Sequence, residues 1–355
     1  MVDLSQILAS APVLTNWIGK LIYKMYEWIG NFGWTVVVFT IFLKLLLSPL
    51  DIWQKRTMMK NNRAMKVINP ELEKLKKTYA GSPDVLQQKQ MELYKKHGYK
   101  MTGGCLPALI TIVIFFIVFS GFNAAVRYEN ERMVYDMTLT YQEAAQTEGV
   151  TEEQLDNLMI STYDEEKQGW LWIKNVFMSD TYTNPVPTFD KFVGRGLGQI
   201  NATLPDETRA LNLAHTQKYE NGYDAVLKPA MESYNKSKFF DMKHWNGYFI
   251  LPIISIALSI FSVKISKNTQ PEMPTQTDEN GNPKGSQGMM KAMNWLMPIM
   301  MGVFALFYSA AFCIYMVMNS LITVIFNLVY NRIAAKQDER LEEERLSRTF
   351  RKGNR

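Results

Sequence analysis

Residues 32–50 read FGWTVVVFTIFLKLLLSPL, an apolar stretch that contains one cation, Lys44. At about 1.5 Å per residue, a helix of this length approaches the ~30 Å hydrocarbon core of a bilayer. A lysine at its centre costs about 2.5 to 3.5 kcal/mol to insert, so a compensating environment is needed. Thr40 and Ser48 share a helix face with Lys44. The stretch predicts a transmembrane helix with a wet, positively charged wall; the alternative is that Lys44 only snorkels to the nearer interface.

Composition indicates further membrane helices. The chain has 355 residues and is 47% hydrophobic, yet its mean hydropathy is −0.14. Long apolar runs must therefore alternate with strongly polar segments. The run 294–331 is too long for one crossing and predicts two helices that fold back near Ser309. We expect an all-α polytopic protein with five transmembrane helices, at 32–50, 105–126, 244–263 and, for the last two, 294–331.

Charge orients these spans. Residues 51–104 hold 12 Lys and Arg against 5 Asp and Glu, whereas 127–243 hold 12 against 19. The positive-inside rule places the first segment in the cytoplasm and the second outside. The N-terminus is then outside and the C-terminus cytoplasmic. The remaining segments are an extracellular or interfacial amphipathic helix at 1–31, a disordered cytoplasmic linker at 264–293, and a basic cytoplasmic tail at 332–355; for the first, an additional short span is the alternative.

The two polar segments between the early spans differ in their expected structure. In 51–104, Asn69-Pro70-Glu71 and Ser82-Pro83-Asp84 each combine a capping side chain with proline, and predict separate helices at 70–79 and 83–97. The result is a basic helical hairpin, either a solvated loop or a docking arm for anionic lipid, ribosomal RNA or acidic polypeptide. The acidic segment 127–243 predicts a mostly helical extracellular cap that is dispensable for the core function.

A second polar stripe lies in the last span. Tyr315, Asn319, Thr323 and Asn327 recur every four residues and so share one face, which must meet protein or water inside a bilayer. With Lys44 as its cation, this stripe predicts a hydrophilic groove. The predicted polar lining is Thr40, Ser48, Thr111, Tyr315, Asn319 and Thr323.

Several chemistries are not expected. The two cysteines, Cys105 and Cys313, give neither a disulfide framework nor zinc spacing. The three histidines are scattered, and no nucleotide-binding loop is present. We therefore expect no enzymatic activity, no cofactor, no metal and no DNA partner.

Short motifs resemble a known family, the YidC family of membrane protein insertases, related to the Oxa and Alb proteins of organelles. The motifs are GNFGW at 30–34, KLLLSPL at 44–50, NPE at 69–71 and GGCLP at 103–107, followed by Pro298, Tyr315 and Asn319-Ser320. They fall within residues 28–126 and 245–333, about half of the chain. The resemblance implies a five-helix core around a groove that is open to cytoplasm and lipid and closed outward.

The resemblance also implies a function. An insertase moves short hydrophilic tails of nascent membrane proteins part-way across the bilayer and releases their apolar segments into lipid. The implied partners are nascent membrane proteins, the ribosome and membrane lipids, and the implied location is a bacterial plasma membrane. The resemblance leaves open whether the protein acts alone or with a Sec-type translocon. The alternative is a secondary transporter with Lys44 in a solute or proton site, although the paired repeats typical of such proteins are not seen.

This chain departs from the family pattern at four places, one of which is Lys100-Met101, where the family usually has Asn-Pro before Gly103. Lys44 stands where the family usually has arginine, so the charge is kept but the bidentate fork is not. The second span of the family commonly reads Leu-Ile-Gln-Met-Pro, whereas this chain has Leu109-Ile110-Thr111-Ile112-Val113 and so lacks both the glutamine and the proline. The long segment 127–243 replaces a short connection.

Overall fold

The computed structural model describes residues 13–79, 81–99, 102–189, 192, 213–235, 242–265, 296, 300, 302–303 and 305–353. Over these ranges the chain is helical, as predicted, and its only β feature is a single bridge between Trp170 and Ile173. The helices are α1 (Trp17–Ile29), α2 (Phe32–Thr78), α3 (Pro83–Lys96), α4 (Thr102–Ala145), α5 (Glu152–Glu166), α6 (Leu213–Val226), α7 (Lys228–Asn235), α8 (Ile250–Ile265) and α9 (Ala310–Gly353).

The fold divides into two compact units. The first unit comprises Met1–Thr40, Ile112–Ile253 and Gly302–Met316, and the second comprises Ile41–Thr111, Ile254–Met301 and Val317–Arg355.

Two helices of the described chain are long and apolar enough to cross a membrane. They are α2 and the Ala310–Ile333 part of α9, while α8 is apolar but shorter. On α2, Leu45 and Leu46 are 69% and 64% exposed. Exposed side chains of this size suit a hydrocarbon surrounding rather than water. The fourth predicted span lies mostly outside the described residues.

The predicted helix start at Asn69-Pro70 is wrong, because α2 continues through Pro70 to Thr78. The Asn69 side-chain oxygen is buried and caps nothing in the described structure. Packing explains the continuity, since Ile68 and Leu72 on the two sides of Pro70 are both buried in one cluster that includes Leu93 of α3. Burial along this face outweighs the hydrogen bond that proline removes.

The hairpin in the second unit otherwise follows the sequence pattern. Helix α3 begins at Pro83 in its first turn. Gly98, just beyond the end of α3, has φ +66°, a left-handed conformation that favours glycine. The buried cluster that joins α2 to α3 consists of Met65, Ile68, Leu72, Leu93 and Tyr94.

Helix α1 packs against α4 in the first unit. The Asn16 side chain caps α1 by accepting hydrogen bonds from the amides of Ile18 and Gly19, both at 3.0 Å. A Cβ on Gly121 of α4 would lie 2.4 Å from Ile18, so the helices approach closely because residue 121 is glycine. The contact uses Ile18 and Ile22, whereas Trp17 and Trp28 are exposed.

The described part of the 127–243 segment is mostly helical, as predicted. Met133 and Met137 on the distal half of α4 pack with Tyr163 of α5 and with residues of α6 and α7. This cap core is completed by Val134, Met159, Val186, Phe192, Tyr223, Val226, Leu227 and Ala230.

Candidate functional site

Lys44 has an acidic partner on its own helix. Its ammonium lies 3.8 Å from the carboxylate of Asp51, and the two side chains are 19% and 27% exposed. A nearby opposite charge reduces the free energy of placing a cation in an apolar helix. The side chain extends towards the Asp51 end of α2, a direction that a snorkelling lysine would also take.

A second cation, Lys55, links α2 to α9 within the second unit. Its ammonium donates a hydrogen bond to the side-chain oxygen of Asn327. It also lies 5.1 Å from the ring centroid of Phe326 and 5.3 Å from that of Tyr330. Cation–π attraction at these distances stabilises a charge that is partly removed from water.

Helix α8 joins the same polar cluster. Asn327 Nδ2 donates to the Ser262 hydroxyl at 3.5 Å, and Asn331 Nδ2 donates to the carbonyl of Ile265 at 3.0 Å. Ile265 is the last residue of α8, so Asn331 satisfies one of the carbonyls that a helix end leaves free. The second unit thus places polar groups of α2, α8 and α9 against one another.

Three predicted lining hydroxyls bond to their own helices. Thr40 donates to the Val36 carbonyl at 2.6 Å, Ser48 to Leu45 at 2.8 Å, and Thr323 to Asn319 at 2.7 Å. Such bonds satisfy a hydroxyl inside a membrane helix without a partner helix or water. Ser48 and Thr323 are half-buried, so a hydrated surface is open to them but not required, whereas Thr40 is fully buried.

The remaining lining residues are less uniform. Tyr315 is 7% exposed, and its ring centroid lies 6.2 Å from that of Phe122 and 6.1 Å from that of Phe312 in the first unit. Asn319 is half-buried in the second unit. Thr111 lies on α4, but its side chain is outside the described structure. The first unit therefore holds Thr40 and Tyr315, and the second holds Lys44, Ser48, Asn319 and Thr323.

The predicted lining omitted Asp51 and Lys55, and it ended before Asn327, although Asn327 continues the polar stripe predicted on the last span. Residues 44, 51 and 55 are spaced by seven and then four, the spacing that brings side chains to one helix face. This spacing marks the face in the sequence, although Asp51 and Lys55 lie beyond the predicted end of the span at residue 50. Continuation of α2 beyond residue 50 is what makes Lys55 part of the same face.

Two long apolar helices, one of which carries the Lys44–Asp51 pair beside exposed leucines, are typical of an α-helical integral membrane protein. The chain belongs to the 60Kd inner membrane protein family, whose model matches residues 24–338.

Relatives in bacteria support this assignment. The chain is 37% identical over 107 residues to a Fusobacterium nucleatum protein named membrane protein insertase YidC, a match that covers 30% of this chain and 50% of that protein. Proteins with the same name from Helicobacter pylori and Wolinella succinogenes are 34% and 39% identical over 114 and 95 residues. Those matches cover 32% and 27% of this chain and 20% and 17% of the relatives. The chain thus spans half or less of the length of the relatives it matches.

Proposed function

We propose that this protein is a membrane protein insertase, with the Lys44 face of α2 as its working surface. Family membership and the names of the relatives support this function over the transporter alternative. The observation that carries the proposal for this chain is the Lys44–Asp51 pair at 3.8 Å, on a helix whose neighbouring Leu45 and Leu46 are exposed. A charged face and a lipid-compatible face on one helix are what a client with a polar tail and an apolar segment requires.

The proposed architecture has five spans around a hydrophilic groove. The spans are 32–50, 105–126, 244–263 and two within 294–331, with the N-terminus outside and the C-terminus in the cytoplasm of a bacterial plasma membrane. The proposed lining lies in the second unit and comprises Lys44, Ser48, Thr111, Asn319 and Thr323, to which we add Asp51 and Lys55 at its cytoplasmic end. Thr40 and Tyr315, which the sequence also predicts as lining, are buried in the first unit.

The proposed mechanism is physical rather than chemical. A groove that reaches part-way across the bilayer lets a short hydrophilic tail leave the cytoplasm without facing hydrocarbon. Acidic groups in the tail exchange with Asp51 as partners of Lys44. The apolar segment that follows moves into lipid and gains about 0.8 kcal/mol for each buried methylene. This partitioning drives the process without a nucleotide.

The hairpin of α2 and α3 is the proposed entry point for clients. It carries the basic excess of residues 51–104. A cleft of about 430 Å³ lies between its helices, and its charged lining consists of Lys74, Lys89 and Lys96 with Glu71 and Glu92. Basic surfaces bind ribosomal RNA and anionic lipid headgroups. Nascent membrane proteins, ribosomes and lipids are the proposed partners, and a Sec-type translocon is a further candidate.

Reconstitution tests the function. Purified protein in proteoliposomes should insert a single-span client with a short acidic tail, scored by protection of the tail from protease added outside. Empty liposomes and liposomes with the Lys44→Glu variant are the controls. Electrogenic uptake of a solute or proton by the same vesicles, with no client insertion, would replace the insertase with a transporter.

A further inference from the structure

One non-helical segment of the cap holds together the N-terminal ends of three long or apolar helices. We call residues 168–181 the clasp. It follows α5 and contains a tight turn in which Trp170 and Ile173 exchange two backbone hydrogen bonds of 2.9 Å. The clasp belongs to the first unit, as do all the contacts described below.

The clasp contacts the start of α2 through polar and aromatic groups. Asn31 Nδ2 donates to the Gly169 carbonyl at 2.9 Å, and the Phe32 amide donates to the Gln168 side chain at 3.4 Å. The Trp170 side chain packs directly on Gly33, where a Cβ would lie 2.3 Å from the ring. Only glycine at position 33 leaves room for this contact.

The start of α8 is capped by the clasp from a distance in sequence. The Asp180 carboxylate accepts hydrogen bonds from the amides of Tyr248 at 2.8 Å and Leu251 at 2.7 Å. The intervening Phe249 has φ +62°, an uncommon conformation for a non-glycine residue. An anionic side chain at a helix N-terminus satisfies free amides and favours the helix dipole.

Asn246, just before α8, makes a second contact between this end of α8 and the clasp. Its side-chain oxygen accepts from the Asn175 amide at 2.8 Å, and its Nδ2 donates to the carbonyls of Asn175 and Ser179, both at 2.9 Å. The Asn246 side chain is fully buried, and all three of these hydrogen bonds join it to backbone groups of the clasp.

Helix α9 is held in the same way. The amides of Ala310 and Ala311, its first two residues, donate to the carbonyls of Met178 and Val176 at 2.8 Å. The clasp therefore accepts hydrogen bonds from amides at or beside the starts of α2, α8 and α9, which a helix cannot satisfy by itself.

We propose that the clasp is a positioning element of the insertase that fixes the N-terminal ends of α2, α8 and α9, whereas the α5–α7 bundle of the cap does not perform this task. The proposal rests on the proposed function. With these ends fixed, spreading of the helices around a client is confined to the other end, where the client enters. A cap that is dispensable as a whole, as the sequence predicts, is inconsistent with this role of residues 168–181.

Point substitutions in the full-length protein test the proposal. Asp180→Ala removes both bonds to α8, and Asp180→Asn keeps a capping oxygen. Tyr223→Phe is the matched control, because it removes a buried cap hydrogen bond, from its hydroxyl to the Pro187 carbonyl at 2.9 Å, without touching the clasp. The readouts are hydrogen exchange at Tyr248, Leu251, Ala310 and Ala311 and client insertion in proteoliposomes.

We expect Asp180→Ala to speed exchange at Tyr248 and Leu251 and to lower client insertion by about fivefold or more. Asp180→Asn should recover most of both, and Tyr223→Phe should match the wild type in both. Asn246→Ala is a second, independent variant with the same expected losses.

Wild-type insertion by either clasp variant despite faster exchange would overturn the proposal, as would unchanged exchange in both. If both alanine variants fail to accumulate, Gln168→Ala, which removes the clasp side chain that accepts from the Phe32 amide, takes their place. Lower client insertion by Gln168→Ala than by Tyr223→Phe supports the proposal, and equal insertion by the two contradicts it. Failure of the proposed function is distinct, because the wild type would then show protected amides without any insertion.

Discussion

Asp51 competes with a client's acidic tail for Lys44, so Asp51→Asn should strengthen the binding of such tails. At 3.8 Å, the two charges attract by about 4 kcal/mol at an effective dielectric constant of ~20. Desolvation offsets most of this attraction, and contacting charged groups typically show net coupling of about 0.5 to 3 kcal/mol. Release of Lys44 from a coupling of about 1.4 kcal/mol corresponds to roughly tenfold tighter tail binding.

Photo-crosslinking measures this effect. A client with a crosslinker beside its acidic tail is titrated against the wild type, Asp51→Asn and Lys44→Met/Asp51→Asn in proteoliposomes. We expect about tenfold tighter apparent binding with Asp51→Asn, abolished by the added Lys44→Met. A client with a neutral tail is the control and should bind equally to the first two. Weaker binding of the acidic tail to Asp51→Asn would refute the competition, because Asp51 would then help the tail rather than oppose it.

Three further outcomes follow from the described contacts. In a Cys105→Ala, Cys313→Ala background, Asn319→Cys and Thr323→Cys should react with a water-soluble maleimide faster than Leu45→Cys. Tyr315→Cys should react slowly, because residue 315 is buried. Equal rates at all four positions would contradict a hydrated face. Burial raises the pKa of Glu129 and of Glu131 to about 7, so their contribution to folding is fully present below the ordinary value of 4.5 and is lost as pH rises through about 7. The thermal midpoint should therefore fall between about pH 4.5 and 7.5, and it should fall less in Glu129→Gln/Glu131→Gln. An equal fall in that variant would assign the pH dependence to other groups. Leu72→Ala should destabilise the hairpin by about 2 to 5 kcal/mol and Leu72→Met by less than about 1.5 kcal/mol. The protease susceptibility of α3 should therefore be higher in Leu72→Ala than in Leu72→Met. Equal susceptibility of the two variants would show that Leu72 packing does not hold α3.

Sequence patterns predicted the helical fold and much of its local detail. Apolar runs identified α2 and the start of α9, and Pro83 marked the first turn of α3. These features depend on residues close together in the chain, where periodicity and capping chemistry act directly. Pro70 shows the limit of local signals, because burial of Ile68 and Leu72 against α3 keeps α2 continuous across a proline.

The features that sequence reasoning missed depend on distant contacts. Asp180 caps α8 across about 70 residues of chain, a partnership that no short motif encodes. Lys55 acquires its role from Asn327 and the Phe326 and Tyr330 rings on α9. Lys44, by contrast, was identifiable because one charge in an apolar run carries its own energetic signal.

The central claim is that the charge of Lys44 acts on the charge of the client's tail. Reversing the charge at Lys44 and, separately, in the client's tail tests this claim most directly. Wild type, Lys44→Arg and Lys44→Glu are reconstituted at equal density, and insertion is measured for one client with an acidic tail and for the same client with a basic tail. We predict that Lys44→Arg keeps insertion of the acidic tail, that Lys44→Glu loses it, and that Lys44→Glu improves insertion of the basic tail relative to the wild type. Equal insertion of the acidic tail by wild type and Lys44→Glu would show that the charge of Lys44 does not act on the client.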